Sequence, residues 1–280
     1  MEFIFFYLIA GILVGLLAGL FGVGGGIIMV PILTFSFVQM GFSREILFHL
    51  AIGTSLATIL FTSIVSLLTH HRNQAVIWKV VLFLSPGVVA GTLLGSLFAA
   101  NLKSQELKYI FIFFIYLFSF KMLFSKKKKS ILDDSNIEKA NIVSSDSPEP
   151  KLPHFAVQSF TGLLIGISSA LVGVGGGVFT SSYLILFRTP IHLAIGTAAA
   201  IGFPIALSGG VGFIYNGWNN QLLPDGSSGF VYWPAVAGLV VASMPFAYIG
   251  AKISHRLPKD RLRQIFAIFL MSMATIMLVS

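Results

Sequence analysis

Cysteine is absent from the 280 residues, which removes disulfide staples, thiol redox relays and cysteine-ligated metals from consideration. Charge is scarce as well. Only 10% of the residues are Asp, Glu, Lys or Arg, against about a quarter in an ordinary soluble domain. Such a chain has too little polar surface to face water. Within the segments predicted to span a membrane the only charged residues are Lys121 and, at the start of the last one, Arg263, so a carboxylate relay for protons or sodium of the common type is missing. No carboxylate stands at ligand spacing from His70 and His71, and no metal site is expected. Neither a P-loop nor a Ser nucleophile motif occurs, which argues against ATP coupling and against a membrane hydrolase. The expectation is a protein that is not an enzyme and carries no cofactor.

What is present is hydrophobicity. The chain is 56% hydrophobic with a mean hydropathy of +0.90. Ile46 to Leu68 and Val80 to Asn101 hold no charged residue, and a helix of more than about 18 such residues crosses a hydrocarbon core of about 30 Å. The first apolar run, MEFIFFYLIA, lacks the basic segment of a cleavable signal and is expected to belong to the mature structure. The formal charge of +8 points to a cytoplasmic face rather than to nucleic acid, because Lys and Arg collect in the cytoplasmic loops of membrane proteins.

The chain repeats itself. GLLAGLFGVGGG at Gly15 to Gly26 returns 151 positions later as GISSALVGVGGG, and HLAIGT at His49 to Thr54 returns unchanged at His192 to Thr197. Trp78 and Gly95 are echoed by Trp233 and Gly250, 155 positions on. Three echoes in one order indicate duplication. Residues 1–124 are read as a first membrane repeat and 154–280 as a second. Residues 125–153 between them, which hold KKKK together with acids, serines and prolines, are read as a flexible cytoplasmic linker.

Each half is predicted to hold a glycine-broken helical hairpin followed by three helices. Phe3 to Val38 covers 36 residues, about 54 Å as one helix at 1.5 Å per residue. That is too long for one crossing and too short for two, so the chain is expected to turn inside the membrane. A hairpin that returns to its starting side places fifteen of the eighteen basic residues on one face and leaves Arg44, Lys103 and Lys108 on the other. An odd number of net crossings per half makes the repeats inverted. The fold class is therefore an all-α polytopic membrane protein of two inverted repeats.

The glycine breaks carry the functional expectation. Backbone groups released by a broken helix cannot face lipid and must be buried or line a wet cavity. Helices restarting at Ile27 and Val178 aim free N–H groups and a positive dipole end at whatever lies beside Gly22, Gly24, Gly25 and Gly26 or Gly173, Gly175, Gly176 and Gly177. A small anion is the natural occupant, in the manner of transporters with inverted repeats. Hydroxyls of Thr54, Ser55 and Thr58, with Thr197 in the second half, are candidates for its path. These side chains are equally able to back-bond to their own helices. Pro204 with Gly209 and Gly210 is expected to kink or end the equivalent helix of the second half. His49 and His192 head matched helices, either as proton-coupling groups or as boundary residues.

The paired GVGGG segments, the duplicated HLAIGT and the tryptophan and glycine echoes resemble the TauE/SafE sulfite exporter family, also called TSUP transporters, over nearly the whole chain outside the linker. That resemblance implies a bacterial inner-membrane, multi-pass transporter for sulfite, a sulfonate or another small organosulfur anion, and it carries over the eight glycines of the two motifs as binding positions. One departure is that Pro31 after the first motif is matched by Ser182 after the second. The expected partners are the anion and the lipid bilayer, with no nucleic acid, and a homo-oligomer is compatible with the sequence. A membrane scaffold or assembly protein without transport activity is the alternative.

Overall fold

The computed structural model describes residues 2–21, 25–124, 153–254 and 259–279. Gly22, Gly24 and all of the expected linker except Pro153 lie outside the described residues. The first half contributes α1 (Glu2–Phe21), α2 (Gly26–Gln39), α3 (Leu47–Arg72), α4 (Trp78–Asn101) and α5 (Ser104–Phe124). The second contributes α6 (Phe155–Val172), α7 (Gly177–Leu186), α8 (Ile191–Gly217), α9 (Trp233–Ser254) and α10 (Lys259–Val279). Helix is the form these sequences require, because only helices satisfy each backbone group within an isolated apolar segment. The boundaries fall within a few residues of those expected. One addition is a two-stranded ribbon of β1 (Ser227–Ser228) and β2 (Val231–Tyr232) just ahead of α9.

Among the described residues four helices, α3, α4, α6 and α8, are long and apolar enough to cross a membrane. By contrast α7 has 10 residues, about 15 Å at 1.5 Å per residue, or half of a ~30 Å hydrocarbon core. Both hairpins double back. Ser36 near the end of α2 donates a hydrogen bond to the hydroxyl of Tyr7 near the start of α1 at 2.8 Å, so the two ends of that hairpin lie side by side.

The halves are interwoven rather than adjacent. Helix α1 packs along α9 and α6 packs along α4, so the opening helix of each half lies against the fourth helix of the other. The central pair is α3 with α8, and the outer pair is α5 with α10. Glycine permits the close approach. Gly91 lies against the Leu163 backbone and Gly95 against Ile167 and Ala170, while Gly11 and Gly15 meet α9 at Leu239, Ala242 and Ser243. Such small-residue contacts bring helix backbones together where lipid supplies no hydrophobic drive for association.

Two further bonds reveal how the repeats correspond. The Thr54 hydroxyl of α3 accepts the Tyr232 N–H at 3.0 Å, and the Thr197 hydroxyl of α8 accepts the Ile77 N–H at 3.0 Å. Likewise Gly53 abuts the Phe230 carbonyl and Gly196 abuts the Ala75 carbonyl. Residues 230 and 232 stand 155 positions after 75 and 77, the interval of the Trp78 and Trp233 echo. The start of α3 thus sits beside the end of α8, and the start of α8 beside the end of α3, so these matched helices run antiparallel.

One face of the molecule gathers the turns after α2, between α4 and α5, and between α8 and α9. Phe42 meets Tyr232 there with ring centroids 5.4 Å apart, and the Phe48 N–H donates to Ser104 Oγ at 2.9 Å. Arg44, Lys103 and Lys108 belong to this sparsely charged face. The opposite face holds the turn from α3 to α4 and the start of α6, where Phe83 and Phe155 lie 5.4 Å apart. Arg72, Lys79, Lys121 and Arg188 belong to it, and it is called the basic face below.

The expectation that Pro204 and the glycine pair kink or end α8 is corrected in one respect: the helix runs unbroken from Ile191 to Gly217. Ser208 Oγ donates to the Pro204 carbonyl at 2.6 Å and stays within the turn. Gly209 is used for packing instead, since a Cβ there would meet Leu56 and Thr92.

Candidate substrate site

Both breaks have one construction. Gly25 precedes α2 with φ 75° and Gly176 precedes α7 with φ 68°, each in the left-handed region where a side chain is strained. Gly173 closes α6 in the same region, with φ 69°. The two breaks touch. A Cβ on Gly26 would lie 2.5 Å from the Gly173 carbonyl oxygen, and Ile59 of α3 stands against both Gly26 and Gly175. Ile59 lies midway along the 26 residues of α3, and Gly202 and Ile205, which face Gly175 and Gly176, lie midway along the 27 of α8. The breaks therefore meet at the mid-height of the central pair.

The second break is the polar one. No acceptor among the described residues meets the N–H groups of Gly177, Val178 and Phe179, the first turn of α7. Two hydroxyls flank that turn, Ser169 from the end of α6 and Thr180 on α7 itself; both are fully buried and neither has a hydrogen-bond partner among the described residues. A Cβ on Gly176 would lie 3.4 Å from Ser169 Oγ, which places this hydroxyl at the break. At the 151-residue interval the first half has Ala18 and Met29 in place of Ser169 and Thr180. At these two positions the first break has apolar side chains where the second has hydroxyls.

From the meeting point a cleft of about 160 Å³ runs toward the basic face. Met29, Ile59, Gly175 and Gly177 form its inner end, and Thr69, His70 and Tyr248 its mouth. Thr62, Ser63, Ser66 and Ser243 supply hydroxyls along the way, and among the described residues no acid lines it. Its volume is well below the roughly 300–1,000 Å³ of pockets for drug-sized ligands, which suits a solute of a few heavy atoms.

Not every sequence candidate reaches this cleft. Gly25, Gly26 and Ile27 and the four glycines of the second motif lie at the meeting point, with Val178 half-buried on α7. Thr54, Ser55, Thr58 and Thr197 do not line the cleft: all are fully buried, and their hydroxyls are engaged within the framework. Ser55 Oγ donates to the Gly173 carbonyl at 2.9 Å and ties α3 to the second break, while Thr58 Oγ1 back-bonds to the Thr54 carbonyl at 2.8 Å. His49 is buried, and its Nε2 stands 3.0 and 3.1 Å from the Ala99 and Leu102 carbonyls, as a donor that pins α3 to the turn after α4. His192 is exposed at the start of α8. Residues missed in the sequence are Ser66, Thr69, His70 and Ser243; Ser66 lies about two turns of α3 beyond Thr58. Ser169 and Thr180 carry no sequence signal beyond the proximity of the break.

The profile of the sulfite exporter TauE/SafE family matches residues 7–277, which span both breaks and all three echoes. The chain belongs to the TauE/SafE family. Relatives of this TauE/SafE protein include a probable membrane transporter protein of Haemophilus influenzae, 33% identical and covering 98% of this chain and 97% of its own length. A probable membrane transporter protein of Bacillus subtilis is 26% identical over 92% of both chains, and one of Methanocaldococcus jannaschii is 27% identical over 97% of this chain and 94% of its own. No solved structure matches the chain. The TauE/SafE protein is thus a multi-pass membrane transporter of a small molecule rather than an enzyme.

Proposed function

We propose that the protein is a secondary transporter or facilitator for a small oxyanion, of the class of sulfite, a sulfonate or another organosulfur anion. The anion binds where the two broken hairpins meet. The observation that carries this reading is the set of donors at the second break: three N–H groups of the α7 first turn and the buried hydroxyls of Ser169 and Thr180, all without partners among the described residues. Buried donors are costly when unsatisfied, and an oxyanion satisfies several at once while meeting the positive end of the helix dipole. The family description, sulfite exporter, agrees with such a solute. With no carboxylate among the described residues of the cleft, the anion is attracted without a fixed opposing charge.

The repeats are inverted in this reading, the basic face is cytoplasmic by the positive-inside rule, and residues 125–153 lie on that side of a bacterial inner membrane. The cleft then opens inward. Single cysteines at Gln105 and Asp225 are expected to react with an impermeant maleimide in intact cells, and one at Asn73 only after permeabilisation; the reverse pattern would turn the molecule over in the membrane.

The direct test is flux into proteoliposomes, compared for sulfite, sulfoacetate, taurine, thiosulfate, sulfate and uncharged controls. Saturable flux of at least one sulfur oxyanion is expected. Flux of neutral solutes alone would remove the anion, and no flux of any solute would favour a scaffold.

A further inference from the structure

A second cavity lies away from the breaks. It is a cavity of about 660 Å³ between α2, α5 and α10 on the sparsely charged face. Its walls are apolar: Phe6, Pro31, Ile32, Phe35, Met273 and Met277. Phe35, Val38 and Ile276 at its rim are exposed on the outer surface of the helical array, so the cavity opens sideways to the bilayer. At one end the lining turns polar, with Gln39, Arg44, Gln105 and Lys108.

We propose that this groove holds one anionic diacyl phospholipid, its phosphate between Arg44 and Lys108 and an acyl chain along α2. The charge distribution points to it. This face has three basic residues, and two of them line one cavity mouth, where neither forms an ion pair among the described residues. Glu106, the acid closest in sequence to Lys108, is occupied by the Lys103 N–H at 2.8 Å and does not line the groove. Nor does Glu45. The depth fits as well. From Gln39 at the mouth to Pro31 at the inner end is eight residues of α2, about 12 Å at 1.5 Å per residue, close to the ~15 Å of a single hydrocarbon leaflet. A basic mouth above an apolar slot one leaflet deep matches a phospholipid in both polarity and length. A second copy of this chain is the rival occupant, but its surface would have to bring negative charge to Arg44 and Lys108, and the chain has few acids to offer outside the linker.

Native mass spectrometry of the full chain tests the proposal, with phosphatidylglycerol and phosphatidylcholine of identical acyl chains added to the micelles. The wild type is expected to retain phosphatidylglycerol preferentially, by roughly fivefold for each cation and so about 25-fold for the pair. Arg44→Gln with Lys108→Gln is expected to bring that ratio close to one, whereas Lys103→Gln, on the same face outside the groove, leaves it unchanged. Equal retention of the two lipids by the wild type would overturn the proposal, as would an unaltered ratio in the double variant. A dimer that excludes lipid and dissociates in the double variant would give the groove to a second copy instead. The readout concerns lipid alone and stands apart from anion flux.

Discussion

Gly176→Val is expected to abolish sulfur-oxyanion flux while the protein still inserts in the membrane. At φ 68° a β-branched residue is strained by about 1–2 kcal/mol, and its Cβ would collide with Ile205 of α8, adding roughly 1–3 kcal/mol of overpacking. The first turn of α7 can relieve both only by moving, which carries the Gly177 and Val178 amides off target. Two lost hydrogen bonds to a charged group, each ~1.5–3 kcal/mol, weaken anion binding by at least about a hundredfold. Flux equal to wild type would show that these amides do not hold the solute. Ser169→Ala separates binding from folding. It deletes a hydroxyl without a partner, so the melting temperature in the absence of anion should stay level or rise, while the anion-induced thermal shift requires roughly tenfold more ligand. A lowered melting temperature with unchanged anion affinity would assign Ser169 to the scaffold.

The second expectation concerns the side that is shut. On the sparsely charged face α4 lies close against α8: Gly209 would meet Thr92, Gly212 would meet Ser96, and Asn216 Nδ2 donates to Ser96 Oγ at 3.3 Å. The matching helices, α9 and α3, touch where Ala57 and Phe61 meet Val236 and Val240, and are parted by the cleft toward the basic face. Through the 143- and 155-residue repeat intervals Gly209 corresponds to Ser66 and Thr92 to Ala247, and both of those residues line the cleft wall. Exchanging the two arrangements closes the cleft and opens its counterpart, which is the rocking that alternating access requires. The natural absence of cysteine makes the test clean. Thr92→Cys with Gly209→Cys should cross-link readily and stop flux until a reductant is added. Ser66→Cys with Ala247→Cys should cross-link only during turnover, again stopping flux reversibly. Full flux with the first pair cross-linked would refute the exchange.

Much of this architecture was legible in the sequence, because duplication and helix length are counting arguments. Thirty-six uncharged residues that include a glycine cluster fit only a hairpin, and α7 with 10 residues confirms how short such an arm is. The positions of Gly25 and Gly176 could be read for the same reason: consecutive glycines in an apolar run mark a break. The roles of the hydroxyls could not. Thr54 and Thr197 look like lining residues on a helical wheel, yet each is claimed by an amide more than a hundred residues away, from Tyr232 and Ile77. Pairing at that distance is invisible to local periodicity. So is the difference between the two breaks, which rests on Ser169 and Thr180 being left without partners by the packing of other helices.

The exchange of opening helices between halves also bears on how the chain is made. Helix α1 enters the bilayer with Gly11 and Gly15 ready for close packing, but the helix that fills those notches, α9, begins at Trp233. More than two hundred residues must leave the ribosome before the first helix finds its permanent neighbour. Synthesis order and packing order are thus decoupled for α1, whose partner helix is among the last parts of the chain to be made.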